Sequence, residues 1–516
     1  MNKAKIQHFL ILLFFILLYV CAWCLQDQFL LKGDVSWQMH LARLVLSGGN
    51  YVNDFFEINP PLSIYLYMPA VLLQQIFPIS AIVALRIYIF ILATLSLILC
   101  HALFKKISPS KDKNIRLLFI VTLCFVYLIL PLGEFGQREC LLLYLTIPYF
   151  LLVSIRLNSI KINQFSAVSI GILAGLGFAI KPFFIFSFCL VEIYFASKQT
   201  TWRKCLLGWM RPETLCIFLV FIFYLIFICV IHPNYINIVV PLAAHFYYQS
   251  FALPFADVFF NPIVIYISLA PLFYLALSNN GLYKQLCIVL LMALIGFLGA
   301  YLIQQLPWYY HALPAFSMAI IVYVLLFGLF LRQYRFNKSE FLFALLIGLL
   351  AFSYPINFIK KYYAKNVMMK QETQPLIKEL REKDKKQPVF FFSNDAAYMV
   401  SVFEHADVLH ASRLQFLAWM HHNSPTLPPQ TTISTQRQNE EHFFVTMLVD
   451  DIKKNKPVLI YVDQLQLLKY QGKLIKLDYI QILSRYPDFK DVWKKYHYWK
   501  TVENPSMYKF DIYKLS

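Results

Sequence analysis

Long apolar runs separated by short polar stretches dominate the first 358 residues of the chain. A helix of about 20 apolar residues is long enough to cross the hydrocarbon core of a bilayer. The pattern predicts eleven membrane spans, at residues 9–25, 81–104, 115–132, 140–156, 164–180, 182–197, 213–231, 257–277, 285–303, 310–331 and 340–358. We therefore expect an all-α, multi-pass membrane domain over residues 1–358.

The loop between the first two spans, residues 26–80, carries two further helical patterns. One begins near Asp34 and ends at Gly48 and Gly49, with Gln38 and Arg43 turned away from its apolar stripe. That stripe consists of Trp37, Leu41, Leu44 and Val45. The other pattern, residues 62–77, contains one Pro and two Gln residues, so we expect it to lie in the outer membrane interface rather than to span.

After about residue 359 the apolar runs become short and the chain turns polar. Strand-like runs at residues 388–392, 408–410 and 457–462 alternate with helical stretches near residues 372–384, 412–421 and 439–455. This alternation predicts a small soluble α/β domain over residues 359–516.

Composition agrees with a membrane protein. Of the 516 residues, 59% are apolar and 14% are charged, whereas soluble domains average about 45–50% and 25%. The chain has 48 Phe and 33 Tyr residues but only 15 Gly, which excludes collagen-like and disordered chains. The composition therefore excludes a soluble enzyme of this size.

The distribution of charge predicts the topology. The chain has a net charge of +18, but it contains no dense basic patch with interleaved aromatic residues, so we expect no nucleic-acid partner. With a cytoplasmic N-terminus, alternate tracing of the spans places 17 of the first 22 Lys and Arg residues on the cytoplasmic side. We therefore expect a plasma (inner) membrane protein whose loop 26–80 and C-terminal domain are extracytoplasmic, that is, periplasmic.

Several motifs on the predicted outer face resemble the polytopic glycosyltransferases of the C-type fold. The chain is similar in particular to the aminoarabinose transferase of lipid A and to the protein mannosyltransferases. The motifs are Gly33-Asp34-Val-Ser-Trp-Gln-Met-His-Leu-Ala-Arg43, Gly48-Gly49-Asn-Tyr51, Asp54-Phe-Phe-Glu57-Ile-Asn-Pro60-Pro61, Gly136-Gln-Arg138-Glu139, Ala179-Ile-Lys181-Pro182 and Tyr310-His311-Ala-Leu-Pro314. The resemblance covers about residues 1–330 and implies inverting transfer of a sugar from a polyprenyl phosphate to an acceptor hydroxyl on the outer membrane face.

The resemblance also implies roles for the outer acids. An inverting displacement needs a carboxylate that takes the acceptor proton, and the matching residue is Asp34. The alternative role of Asp34 is to cap the helix that follows it. Glu57 and Glu139 are expected to orient the acceptor or to bind a metal ion, and Asp54 is a further candidate for substrate contact. No compact ligand spacing requires a metal, so a divalent cation is left open and no other cofactor is expected.

Cations on the outer face are candidates for binding the donor phosphate. Lys181, Arg138 and Arg86 break the charge rule, and a leaving phosphate needs positive charge at the membrane surface. Their alternative role is to reach lipid headgroups as interfacial anchors. His311 and His245 lie among aromatic residues in outer loops, where such belts usually anchor spans, and contact with the sugar or phosphate of the substrate is the alternative role.

Two other functions compete with the transferase. A ligase or polymerase of lipid-linked O-antigen would also use outer Arg and His residues, but the acids of this chain cluster in the first loop. A transporter would place ionisable groups near the bilayer midplane, where the spans offer only Glu192. The sugar, the acceptor (a lipid, a glycan or a protein), the polyprenol and the oligomeric state are not specified by the sequence.

Overall fold

The computed structural model describes residues 3–109, 112–244, 252–277, 281–332, 338–383, 387–394, 396–417, 419, 435–465, 467–470, 473–505 and 507–516. The chain divides into two compact units, and each is described by itself. The helical unit comprises Met1–Phe29, Leu85–Ile226 and Leu253–Asn366. The mixed unit comprises Leu30–Ala84, Phe227–Ala252 and Val367–Ser516.

The apolar runs of the sequence form helices. They are α1 (Lys3–Asp27), α2 (Gly33–Leu46), α3 (Leu62–Ile76), α4 (Ala81–Ile107), α5 (Lys113–Cys124), α6 (Arg138–Leu157), α7 (Gln164–Ala179), α8 (Ile185–Ser197), α9 (Trp202–Trp209), α10 (Pro212–Ile231), α11 (Phe255–Phe259), α12 (Pro262–Leu277), α13 (Lys284–Gln304), α14 (Tyr309–Leu331) and α15 (Lys338–Lys383). Short π-helical or 3₁₀ turns lie at Phe125–Ile129, Leu132–Glu134, Pro182–Phe184 and Tyr235–Val239. Every predicted span coincides with helical structure, which confirms the helical fold class of the first part of the chain.

Membrane-spanning length is clearest for six helices among the described residues. These are Phe9–Asp27, Ala81–Ile107, Arg138–Leu157, Pro212–Ile231, Lys284–Gln304 and Tyr309–Leu331. Shorter apolar helices include Leu62–Ile76, Gln164–Ala179, Pro182–Ser197 and Pro262–Leu275. The topology of eleven spans stays a prediction.

Helices α6 and α14 form the centre of the helical unit. Almost every residue of both helices is buried, including the polar residues of their first turns. A helix that is apolar on all sides packs its whole circumference against neighbours. On α13, Gly296 allows very close packing, because a Cβ atom there would lie 2.3 Å from Cα of Ser187 on α8. The first turns of α6 and α14 are therefore buried inside the helical unit.

The mixed unit contains the expected α/β fold. Its five-stranded sheet has the order β2-β1-β3-β7-β6, in which β1 pairs in parallel with β2 and β3, while β7 is antiparallel to β3 and β6. The strands are β1 (Pro388–Phe392), β2 (Leu409–His410), β3 (Leu459–Asp463), β6 (Tyr496–Asn504) and β7 (Tyr508–Leu515), and a separate hairpin is formed by β4 (Leu467–Tyr470) and β5 (Lys473–Lys476). The accompanying helices are α16 (Ala396–Ala406), α17 (Thr435–Asn455), α18 (Tyr479–Leu483) and α19 (Pro487–Trp493).

The helix predicted near residues 412–421 is wrong over residues 412–417, whereas residues 418, 420 and 421 lie outside the described part of the chain. Residues 412–417 are not helical, and Leu414 instead forms an isolated bridge with Phe56. The backbone N–H of Arg413 donates to the carboxylate of Asp451, and its carbonyl accepts from the N–H of Phe56. These tertiary contacts replace the hydrogen bonds that a helix would need.

The first-loop helix α2 ends as predicted but is more deeply packed. Gly48 follows it with a φ of +88°, a left-handed conformation that glycine adopts without strain. The predicted polar side of α2 is packed against other parts of the mixed unit rather than fully exposed, although Arg43 remains partly accessible. Gln38 is buried and accepts a hydrogen bond from Ser63, and Arg43 forms an ion pair with Glu404.

Candidate active site

Three of the predicted site residues meet at helix ends in the helical unit. Glu139 lies in the first turn of α6, and His311 lies in the first turn of α14. Lys181 precedes the 3₁₀ turn Pro182–Phe184, in an extended conformation that the following proline favours. The chain thus breaks between α7 and α8 at the residue that carries the ammonium group.

The three side chains form one buried cluster. Nζ of Lys181 lies 2.5 Å from Oε1 of Glu139, and Nδ1 of His311 lies 3.8 Å from the same oxygen. The exposed fraction of the side chain is 7% for Lys181 and 0% for Glu139. The ammonium also lies 5.3 Å from the centre of the Tyr310 ring and 5.9 Å from that of Phe184, within cation–π range.

The hydrogen-bonding capacity of this cluster is only partly used. Within the described part of the chain, neither ring nitrogen of His311 has a hydrogen-bond partner, nor does Oε2 of Glu139. The ring of His311 packs against those of Tyr310 and Trp308, with centroid distances of 4.2 and 5.7 Å. Buried polar atoms are normally satisfied, so unsatisfied ones that cluster around an ion pair mark a candidate ligand site. We name Glu139, Lys181, His311 and Tyr310 the cation cluster.

The two predicted arginines differ in their surroundings. Arg138 is buried next to Glu139 at the start of α6. Arg86 donates to the carboxylate of Asp27 at 2.7 Å and to the carbonyl of Gln26 at 2.8 Å. Since these acceptors lie in the last turn of α1, Arg86 holds that helix end in addition to any role with a ligand.

Glu134 is a buried acid that the motif comparison did not single out. It accepts hydrogen bonds from the hydroxyl of Tyr362 and, at 3.4 Å, from the amide of Gln137. Its place in the same predicted outer loop as Glu139 was the signal available in the sequence. Its partner Tyr362 lies on α15, beyond the region of resemblance.

Asp34 belongs to the mixed unit. It lies in the first turn of α2, but Lys32 occupies the N-cap position, so the alternative role of Asp34 as the helix cap is wrong. Its Oδ1 accepts a hydrogen bond of 3.3 Å from Nε2 of Gln415. A carboxylate near a helix N-terminus is favoured by the helix dipole.

The other first-loop acids shape their own loop. Buried Glu57 accepts a hydrogen bond of 2.6 Å from the backbone N–H of Asn59. Asp54 accepts a bond of 2.9 Å from the N–H of Asn50 and lies 4.0 Å from the ammonium of Lys454. Both acids of the Asp54-Phe-Phe-Glu57 motif thus have local structural partners.

The mixed unit also contains a cluster of aromatic side chains around His232 that the sequence did not predict. The hydroxyl of Tyr65 lies 2.8 Å from Nε2 of His232, and the ring of Tyr51 packs on the same histidine at 5.2 Å. His245 lies outside the described residues. In the part of the chain that the structure describes, no group of three or more His, Cys, Asp or Glu side chains is arranged to hold a metal ion.

Glu192, the acid within a predicted span, is paired. Its carboxylate binds the guanidinium of Arg211 at 2.5 Å and accepts a hydrogen bond from the hydroxyl of Tyr149. Arg211 also lies 3.6 Å from Glu213, which binds Arg156 at 3.0 Å. These five side chains form a buried polar network in the helical unit, which we name the Glu192 network.

The structure therefore brings together some of the predicted site residues. Glu139, Lys181 and His311 belong to the cation cluster of the helical unit. Asp34 and Glu57 lie in the mixed unit with separate partners.

Comparison with known proteins identifies the fold. No protein-family model matches the chain, and no curated protein matches it. The chain is similar to the crystal structure of ArnT from Cupriavidus metallidurans bound to undecaprenyl phosphate, with a TM-score of 0.58 at 10% sequence identity. The similarity covers 98% of each chain. It confirms the expected fold, a helical membrane-type part followed by a small α/β part.

Proposed function

Starting from the fold of ArnT, we propose that this protein is a membrane glycosyltransferase that uses a polyprenyl-phosphate sugar as its donor. The observation that carries the proposal is the shared fold, which extends over 98% of both chains. The ArnT structure holds undecaprenyl phosphate, a member of this lipid class. The helices of spanning length support a lipid-soluble donor, because such a donor reaches its enzyme from the bilayer.

The cation cluster supports a binding site for the donor phosphate. A charged side chain buried in an apolar helical unit is costly, and it is usually retained for function. The ammonium of Lys181 supplies positive charge for a phosphate oxygen at a buried position, beside the carboxylate of Glu139. The Tyr310 ring beside Nζ offers a face on which a sugar or an isoprenoid unit packs.

Asp34 is the proposed general base. In an inverting transfer the acceptor hydroxyl attacks the anomeric carbon, its proton passes to the Asp34 carboxylate, and the bond from the anomeric carbon to the donor phosphate breaks. Asp34 lies in the first turn of α2 and accepts a hydrogen bond from Gln415, which supports a defined orientation of its carboxylate. Glu57 and Glu139 are proposed to orient the acceptor, and Arg138 and Arg86 to add positive charge near the leaving phosphate.

A transporter is less well supported. Its ions or substrates would need ionisable groups that are accessible within the spans. Glu192 is instead enclosed by Arg211 and Tyr149, which satisfy its charge.

The test is transfer by the purified full-length chain in lipid nanodiscs. A polyprenyl-phosphate donor with a labelled sugar is incubated with candidate lipid, glycan and protein acceptors, and products are identified by mass spectrometry. Surface glycolipids and glycans of cells with and without the gene for this chain are compared in parallel. We expect a product that depends on the chain. Absence of transfer from every lipid-linked sugar, together with solute movement across sealed vesicles that contain the chain, would contradict the proposal.

A further inference from the structure

The segment Ala411–Leu417, which we name the anchored segment, is irregular but firmly held within the mixed unit. The N–H of Ala411 donates to the carbonyl of Val389 at 3.0 Å, and the N–H of Leu417 donates to the carbonyl of Ser393 at 3.1 Å. Val389 belongs to β1, and Ser393 directly follows that strand. Both ends of the anchored segment are therefore fixed to the sheet.

Arg413 fixes the middle of the anchored segment. Its Nε donates to Oδ1 of buried Asp451 at 2.6 Å, and its backbone N–H donates to Oδ2 of the same carboxylate at 2.7 Å. Its Nη1 donates to the carbonyl of Val52 at 3.1 Å, and its own carbonyl accepts from the N–H of Phe56 at 2.8 Å. Charge-assisted bonds of this kind are the stronger class of hydrogen bond, so the backbone on either side of Arg413 has little freedom.

Two residues beyond Arg413, the side chain of Gln415 reaches Asp34. Its Nε2 donates to Oδ1 of Asp34 at 3.3 Å. The helix that carries Asp34 is itself tied to the C-terminal region by the ion pair between Arg43 and Glu404. The donor and the acceptor of this hydrogen bond therefore both stand on fixed backbone.

We infer that Gln415 is a positioning residue that orients the carboxylate of Asp34, so that the C-terminal α/β region completes the base of the transfer reaction. The inference rests on the proposed function. An amide donor on one oxygen restricts rotation of the carboxylate and directs the second oxygen toward the acceptor proton.

Three substitutions at Gln415 separate positioning from folding. Gln415→Met keeps the length of the side chain but removes the donor, and Gln415→Asn keeps the amide but is one methylene too short to reach Asp34. For both we expect kcat to fall about ten- to hundredfold, the range expected for loss of one hydrogen bond to a charged group, while the KM for the donor lipid stays unchanged. Gln415→Glu places a second carboxylate beside Asp34. We therefore expect the acid limb of the pH dependence of kcat to move to higher pH by about one unit.

A matched control variant, the wild-type protein and the Asp34→Asn variant make the outcomes distinct. Gln481→Met makes the same change at an exposed position of the same unit, and we expect wild-type kinetics. Thermal unfolding of every variant measures folding separately. An inactive wild-type protein would overturn the proposed function itself. A Gln415→Met variant with wild-type kcat and an unmoved acid limb for Gln415→Glu, beside an inactive Asp34→Asn variant, would overturn the positioning role alone.

Discussion

Oε1 of Glu139 lies 2.5 Å from Nζ of Lys181, and the side chain of Glu139 is completely buried. Removing one member of a buried ion pair leaves the other charge without compensation, which costs about 3–5 kcal/mol. The two residues are therefore coupled in stability, and any test of their function needs to change them together.

The first prediction concerns donor binding by this pair. The double variant Lys181→Met/Glu139→Gln removes both charges with nearly constant volume, so we expect it to fold. Loss of a charge-assisted contact of about 1.5–3 kcal/mol should weaken binding of a polyprenyl-phosphate donor by about one to two orders of magnitude. Binding is measured by fluorescence or scintillation proximity in nanodiscs. The matched control is Lys378→Met/Glu382→Gln, an exposed pair on α15, which should bind the donor normally. Wild-type affinity in the Lys181→Met/Glu139→Gln variant would reduce Lys181 to a structural role.

The second prediction concerns the base. Asp34→Asn keeps the size of the side chain but removes the proton acceptor, so turnover should fall by about 10²–10⁴. Donor affinity should change little, because Asp34 is proposed to act on the acceptor. Transfer and donor binding are measured on the same preparation. Near-normal transfer would exclude Asp34 as the base and direct attention to Glu57 or Glu139.

The third prediction concerns topology. If the charge distribution determines orientation, both the C-terminal region and the loop of Asp34 are extracytoplasmic. A reporter that is active only outside the cytoplasm should be active when fused after Leu515 and silent when fused after Asp112, which follows α4. The reverse pair of results would contradict the predicted orientation.

The fourth prediction is a pH dependence of stability in the mixed unit. Desolvation lowers the pKa of His410 to about 4, against an ordinary value of 6.5, and also lowers the pKa of neighbouring His40. Between pH 4 and pH 6.5, His410 binds a proton in the unfolded chain but not in the folded chain. The free energy of unfolding therefore has its full value above pH 6.5 and decreases as the pH falls toward 4. At pH 5 we expect His410 to have lowered the free energy of unfolding by about 2 kcal/mol.

Thermal unfolding at pH 7.5 and pH 5 measures this effect. His410→Gln keeps a donor for the carbonyl of Leu414 but cannot titrate, so it should lose less stability on acidification than the wild type. His497→Gln, at an exposed position, should behave as the wild type does. An unchanged pH dependence in His410→Gln would show that other groups cause it.

The helices could be predicted from the sequence because membrane helices are determined by local composition. An apolar run of sufficient length has few alternatives to a helix in a bilayer, and each predicted span is helical in the structure. Glu139 could be singled out through a motif of the family resemblance, Lys181 because its position breaks the charge rule, and His311 because it lies among aromatic residues.

The partners of Asp34 and Glu134 could not be predicted, because they are distant in sequence. Gln415 is 381 positions from Asp34, and Tyr362 is 228 positions from Glu134. The helical pattern over residues 412–421 was misleading for the same reason. Arg413 uses its backbone and guanidinium groups to bind Asp451 and the first loop, and those contacts override the local preference.

The Glu192 network contains two arginines and two glutamates, so its formal charges cancel. In surroundings of low dielectric constant, an electroneutral group of charges is far less costly than the same group with one member missing. A change at Arg211 or Glu192 alone creates a net charge inside the helical unit, whereas a simultaneous change of both restores the balance. Among relatives of this chain, these positions should therefore vary in oppositely charged pairs, so that correlated substitution there reports a constraint of membrane insertion rather than of catalysis.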